Sequence, residues 1–176
     1  MIKSLSTEIV KPEQTYYIPH HAVLRDSNAI TRLRVIFNAS CRTSNETSFN
    51  DHMLIGPKLQ EGFATVLMQW RQYRYVFTAD NAQMYRQILV DSRDTDYQHI
   101  VWQPIPDESI TDYCLLTVIY GTVAAPYLAL RVLDQLVDDE GATFPFAVLV
   151  LRHQTYIDDW HLAQTIKFLL DKHEIN

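Results

Sequence analysis

Thr155-Tyr156-Ile157-Asp158-Asp159-Trp160-His161-Leu162 reads as a β-hairpin with two adjacent acids at its tip. Adjacent carboxylates repel each other, and a cation between them relieves that repulsion. A hard divalent ion such as Mg²⁺ takes oxygen ligands, often one or two carboxylates plus substrate phosphate. A bare Asp-Asp pair in a loop is, on its own, only an acidic turn.

A second acid upstream changes the weight of the pair. Tyr75-Val76-Phe77-Thr78-Ala79 is a β-prone run that ends at Asp80. Two strand-end acids far apart in sequence can meet at one sheet edge. Two metal ions about 3.5–4 Å apart could then activate a hydroxyl nucleophile and stabilise a leaving phosphate. Taken alone, Asp80 reads equally well as a helix N-cap for the residues after it.

Working outward, Tyr16 to Val23 and Leu33 to Phe37 are short β-prone runs, and residues 42–52 form a polar loop. Pro57 is expected to open a helix carrying Leu59, Phe63, Val66, Leu67 and Trp70 at helical spacing. Met84 to Val90 reads as a short helix or turn followed by a strand. Gln98 to Trp102 and Tyr113 to Val118 read as strands joined through the turn at Pro104 to Thr111. Pro126 stands near the start of a helix in which Leu128, Val132 and Leu136 share a face, with Ala129, Leu133 and Val137 beside them. Phe146 to Leu151 is a run of buried-strand type. Leu162 to Asp171 is an amphipathic helix by its spacing. Segregation of strands and helices in this order predicts an α+β fold, with helices layered on a mostly antiparallel sheet.

Composition sets outer bounds. The chain has 176 residues, 47% hydrophobic and 20% charged, enough to bury a core. With 4 glycines it has no Gly-rich phosphate loop, which argues against P-loop and dinucleotide-binding proteins. Cys41 and Cys114 sit in no CxxC pattern, and a reduced intracellular setting is expected. No signal peptide is visible, and no apolar run reaches the ~20 residues of a membrane span. The net charge of −6 weighs against duplex binding unless charge is segregated. Arg25, Arg32, Arg34 and Arg42 do fall in one stretch, with acids at Asp91 to Asp96 and Asp138 to Glu140. His20-His21 has no metal-ligand spacing, so no zinc is assigned.

Several stretches together carry a resemblance. Thr78-Ala79-Asp80-Asn81-Ala82-Gln83-Met84-Tyr85-Arg86-Gln87-Ile88, Tyr120-Gly121-Thr122-Val123-Ala124-Ala125-Pro126-Tyr127 and Tyr156-Ile157-Asp158-Asp159 resemble, in order, the three catalytic motifs of reverse transcriptases of the Pao/BEL retrotransposon group. Tyr17 to Val23 and Leu33 to Ser40 resemble that group's fingers segments, and Leu54 to Gln60 its next landmark. The similarity runs from about Tyr16 to Asp159.

The resemblance implies an RNA-directed DNA polymerase of palm type. The expected organisation is a lead-in over 1–15 and a partial domain over 16–176, with fingers at about 16–74 and palm at about 75–176. Asp80 and Asp158 would hold two Mg²⁺ ions, or Mn²⁺ in their place, with Asp159 in support. Tyr85 matches the bulky residue that excludes a ribonucleotide 2′-hydroxyl; otherwise it reads as an ordinary amphipathic aromatic. Arg34, and less directly Arg25, would clamp the incoming triphosphate with the planar guanidinium fork, the plain alternative being surface solvation. Gly121 and Pro126 would shape the floor beneath the nucleotide, or serve simply as turn and helix-start residues. Partners would be an RNA or DNA template with primer, dNTPs, and the remainder of a polyprotein, in the cytoplasm, a virus-like particle or the nucleus.

Four features depart from the pattern. Asn38 stands in place of Asp, Ala124 in place of a small hydroxyl residue, and Trp160 in place of a smaller aliphatic. The approach to Tyr156 through Arg152-His153-Gln154-Thr155 is one residue longer than typical. Inside a strand, such a change would reverse which side chains face inward. A complete enzyme of the group would continue into a thumb and an RNase H region, so the expectation is a polymerase fold truncated before the thumb and inactive alone. The competing readings are a non-catalytic remnant acting as a nucleic-acid or protein interaction module and, less favoured, a metal-dependent nuclease.

Overall fold

A computed structural model of the chain describes residues 2–4, 15–24, 33–74, 76–103 and 105–162. The fold is α+β, as the element order predicts. Its strands are β1 (Ile2–Ser4), β2 (His20–Leu24), β3 (Leu33–Phe37), β4 (Phe77–Asp80), β5 (His99–Trp102), β6 (Thr111–Leu115), β7 (Thr155–Tyr156) and β8 (Asp159–Leu162). Its α-helices are α1 (Phe63–Trp70), α2 (Ala125–Glu140) and α3 (Pro145–His153). Among the described residues every strand ladder is antiparallel, a single bridge between Tyr17 and His99 being parallel, and the strands divide among three small sheets, ordered β1-β6-β5, β2-β3 and β4-β8-β7.

The described residues group into two compact units that interleave along the chain, the first drawn from 1–55 and 85–125 and the second from 56–84 and 126–176. In the first unit, Ile18, Ile100, Leu115 and Ile119 form a buried cluster on which Tyr16, Phe37, Phe49 and Tyr113 pack. Tyr16 stacks on Phe49 at 4.8 Å. The segment before β2 is laced to β5, with Ile18 N–H donating to the His99 carbonyl at 2.8 Å and His99 N–H to that of Tyr16 at 3.1 Å. Ser48 and Asp51 close a capping box on a short 3₁₀ turn, Phe49–His52. The Ser48 N–H and hydroxyl both donate to the Asp51 carboxylate, which lowers its pKa. This turn lies within the polar loop expected over 42–52.

The second unit holds the β4-β8-β7 sheet and, among the described residues, α1, α2 apart from its first residue, and α3. Ala129, Leu133 and Val137 line the buried side of α2, and Val66 and Val150 are buried in α1 and α3. Leu128, Val132 and Leu136 do share a face, but it is the half-exposed one. Gly56, at φ +84°, brings its backbone so close to the Tyr127 ring that a Cβ there would overlap it.

Two expectations are corrected. Residues 57–62 are not helical, and α1 starts only at Phe63, with Gly62 as its N-cap. Pro57 follows a glycine in the left-handed region, so the chain is still turning there. Phe146 to Leu151 is not a strand but the body of α3, with Pro145 at its N-terminus and Arg152 and His153 in its last turn. Proline at the first position and cations at the C-terminal end both favour a helix, whatever the β-propensity between them. The helix expected over Leu162 to Asp171 falls almost wholly outside the described residues, as do Arg25 and most of the lead-in. No helix among the described residues is long and apolar enough to cross a membrane.

Candidate metal centre

The acids are positioned by the register of one small sheet. β8 lies between β4 and β7, pairing Asp80 with Asp159, Ala79 with Trp160 and Phe77 with Leu162 on one side. On its other side Tyr156 pairs with Asp159 and Thr155 with Trp160. Side chains alternate along a strand, so paired residues share a face. Asp80, Asp159 and Tyr156 therefore stand on one face, and Ala79, Trp160 and Thr155 on the other. Thr155 is buried, and its hydroxyl donates to the Val150 carbonyl at 3.1 Å.

Ile157 and Asp158 are the two residues of the hairpin turn. Ile157 has φ +57°. A β-branched residue rarely occupies that left-handed region. The Asp158 carbonyl accepts from Asn81 N–H at 2.8 Å, which ties the turn to the end of β4. The Ile157 N–H donates to Gln60 Oε1 at 3.0 Å. Phe63, at the start of α1, places its ring 4.8 Å from that of Tyr156.

One carboxylate oxygen from each of Asp80, Asp158 and Asp159 can be chosen so that all lie within 4.8 Å of one another. Asp158 is half-buried and the other two are exposed. Three hard oxygen donors at this spacing suit a divalent cation of the Mg²⁺ or Mn²⁺ kind. Asp80 is not a helix N-cap here, because a turn at 81–83 separates it from the 3₁₀ segment Met84–Gln87.

The longer approach to Tyr156 does not reverse the faces. The residues before the hairpin belong to α3 and its cap, Gln154, and the strand begins only at Thr155. An extra residue there adds to a helix rather than slipping a ladder. Trp160 points away from the acids, and its indole nitrogen is buried without a hydrogen-bond partner among the described residues.

The remaining sequence-predicted residues fall as follows. Arg34 is exposed on β3, opposite Val23, in the first unit. Tyr85 is buried in the first unit, its ring edge-on to Tyr120 at 4.8 Å. Gly121, in the same unit, has φ +92°, and a Cβ there would come within 2.7 Å of the Phe37 carbonyl oxygen. Pro126 is the second residue of α2 and belongs to the second unit. Asn38 is exposed and Ala124 buried.

Two residues of structural consequence were given no role from the sequence. Gln60 holds the hairpin turn. Asn50 Nδ2 donates to the Gly121 carbonyl at 2.9 Å and to Ser40 Oγ at 2.8 Å, while its Oδ1 accepts from Val123 N–H at 3.0 Å. Each acts on a partner distant in sequence; Gln60 ends the Leu54 to Gln60 stretch, but nothing in that stretch indicates its hydrogen bond to the hairpin.

Compared with known families and with curated proteins, the chain matches no family model and no individual protein.

Proposed function

We propose that Asp80, Asp158 and Asp159 form the ligand set of a two-metal, template-directed nucleotidyltransferase related to reverse transcriptases. The observation that carries this reading is the meeting of three carboxylates from two distant segments, within 4.8 Å, at the end of one antiparallel sheet. Asp80 and Asp158 would hold the ions and Asp159 would support them. Bound divalent ions supply charge neutralisation for a phosphoryl group and activation of a primer hydroxyl. The protein's part is to fix three oxygens on a rigid edge. β4 supplies one, the turn supplies the second, and the first residue of β8 supplies the third.

The reading extends, by resemblance, to Arg34 as a triphosphate ligand, Tyr85 as the sugar-discriminating residue, and Gly121 with Pro126 beneath the nucleotide. Substrates would be dNTPs and a primed RNA or DNA template.

The test is Mn²⁺ binding, followed by the loss of the free-ion electron paramagnetic resonance signal. Saturable binding is expected in the wild type, with an affinity weaker by at least about tenfold in Asp158→Asn, since a charged ligand is lost. Equal binding by the two proteins would remove the reading.

A second reading has its own observation. Leu128, Val132 and Leu136 form a half-exposed apolar strip along α2, the kind of surface that marks a protein contact. A non-catalytic interaction module would keep this strip and bind no metal at the acids.

A further inference from the structure

The hairpin that carries Asp158 rests on an unfavourable backbone conformation. Ile157 sits at φ +57°, a region that glycine or asparagine occupies readily and isoleucine does not. Such a conformation persists only where the surroundings over-determine it. Two hydrogen bonds do so here, one to each turn residue. Asn81 N–H holds the Asp158 carbonyl, and the Gln60 amide oxygen holds the Ile157 N–H at 3.0 Å. The first comes from the backbone. The second comes from a side chain at the entry to α1, a segment fixed against the hairpin by the contact of Phe63 with Tyr156.

We propose that Gln60 is a positioning residue, its amide oxygen locking Ile157 in the left-handed conformation and so keeping the Asp158 carboxylate beside Asp80 and Asp159. The effect on metal rests on the proposed function of the acids; the effect on the turn does not. Glutamine suits the place for two reasons. Its oxygen is a neutral acceptor, so it adds no fourth negative charge near three carboxylates. Its two-methylene stem reaches where asparagine would fall short. A glutamate of the same length would still accept the hydrogen bond. Methionine would fill the same space with no comparable acceptor.

Two readouts on the whole chain test this. The first is amide hydrogen exchange at Ile157, followed by NMR on ¹⁵N-labelled protein. Gln60→Met should speed exchange at Ile157 by about tenfold, the scale of one lost hydrogen bond. Gln60→Glu should retain the protection. The second is Mn²⁺ affinity, which should fall about tenfold in Gln60→Met. That loss should shrink in an Ile157→Gly background, where the turn no longer needs to be forced. A purely structural role for Gln60 would lower the melting temperature without this dependence on residue 157. Unchanged exchange at Ile157 in Gln60→Met would overturn the proposal, as would faster exchange with undiminished Mn²⁺ affinity. If Gln60→Met fails to fold, Gln60→Glu decides by the same exchange measurement, and loss of protection there counts against the proposal. A wild type that binds no Mn²⁺ even with a primed template and a complementary dNTP present would refute the function proposed for the acids, and the exchange rates would then decide the lock on the turn alone.

Discussion

Asp80 and Asp159 stand directly opposite each other across the β4–β8 ladder. Like charges facing across an antiparallel pair destabilise it. A sheet that tolerates this arrangement gives up stability for a local concentration of negative charge. Asp80→Asn is therefore expected to stabilise the metal-free protein by about 0.2–1 kcal/mol while weakening its hold on divalent ions. Denaturant titration in chelator, beside the same titration in excess Mn²⁺, checks both parts. A less stable metal-free variant would show that the facing carboxylates do not repel appreciably.

Gly121 is required by its backbone. Its φ of +92° and the nearness of the Phe37 carbonyl oxygen leave no place for a side chain. Gly121→Ala is expected to cost at least about 2 kcal/mol, combining an unsuitable backbone conformation with a contact against main chain that cannot turn aside. The measurement is the midpoint of urea unfolding. A loss under about 0.5 kcal/mol, the level of an ordinary surface substitution, would contradict it.

Asn50 bridges Ser40, Gly121 and Val123 through its amide. Asn50→Ala should cost about 1–3 kcal/mol, because hydrogen bonds contribute about 1 kcal/mol each and partly exposed ones less. Asn50→Asp keeps the acceptor for Val123 N–H but sets a carboxylate against the Gly121 carbonyl, so it should restore little. Equal stability of wild type and Asn50→Ala would mean that water replaces the bridge without loss.

Tyr17 donates its hydroxyl to Asp112 at 2.6 Å. The Asp112 carboxylate also accepts from the buried His99 ring at 3.0 Å, with Nδ1 taken as the protonated nitrogen. The hydrogen bond to Asp112, with smaller contributions from burial and from the carboxylate's charge, raises the Tyr17 pKa above its ordinary value near 10. A raised folded-state pKa means that the contribution is complete below about pH 10 and is lost as pH climbs through the folded-state value. The stability difference between wild type and Tyr17→Phe should accordingly be constant from pH 7 to about pH 9.5 and narrow above pH 10. Ultraviolet difference titration of the two proteins should assign a late-ionising phenol to Tyr17. A difference that widens with rising pH would reverse the sign and refute the assignment.

The parts of this fold that could be read from sequence are those with a local cause. The run ending at Asp80, the hairpin from Thr155 to Leu162 and the long helix after Ala125 each carry their own turn residues or periodicity. Residues 146–151 were misleading because an unbroken apolar run suits a buried strand and a buried helix equally. Pro145 before it and Arg152-His153 after it were the signals that separate the two. Pro57 misled in the opposite way, since a proline marks a helix start only where the chain before it is not still turning. For the site, residue types and spacing suggested three acids, but their approach to within 4.8 Å follows from a register that no local signal specifies. The roles of Gln60 and Asn50 were illegible because each is defined by a partner far along the chain.

The most direct measurement is a calorimetric titration of Mg²⁺ into wild type and Asp80→Ala, each with a primed template and a complementary dNTP, because substrate phosphates complete a site of this kind. Saturable binding by the wild type, absent from Asp80→Ala, is the predicted result. No binding by the wild type, or equal binding by both proteins, would contradict the assignment of Asp80, Asp158 and Asp159 as a metal-dependent catalytic centre.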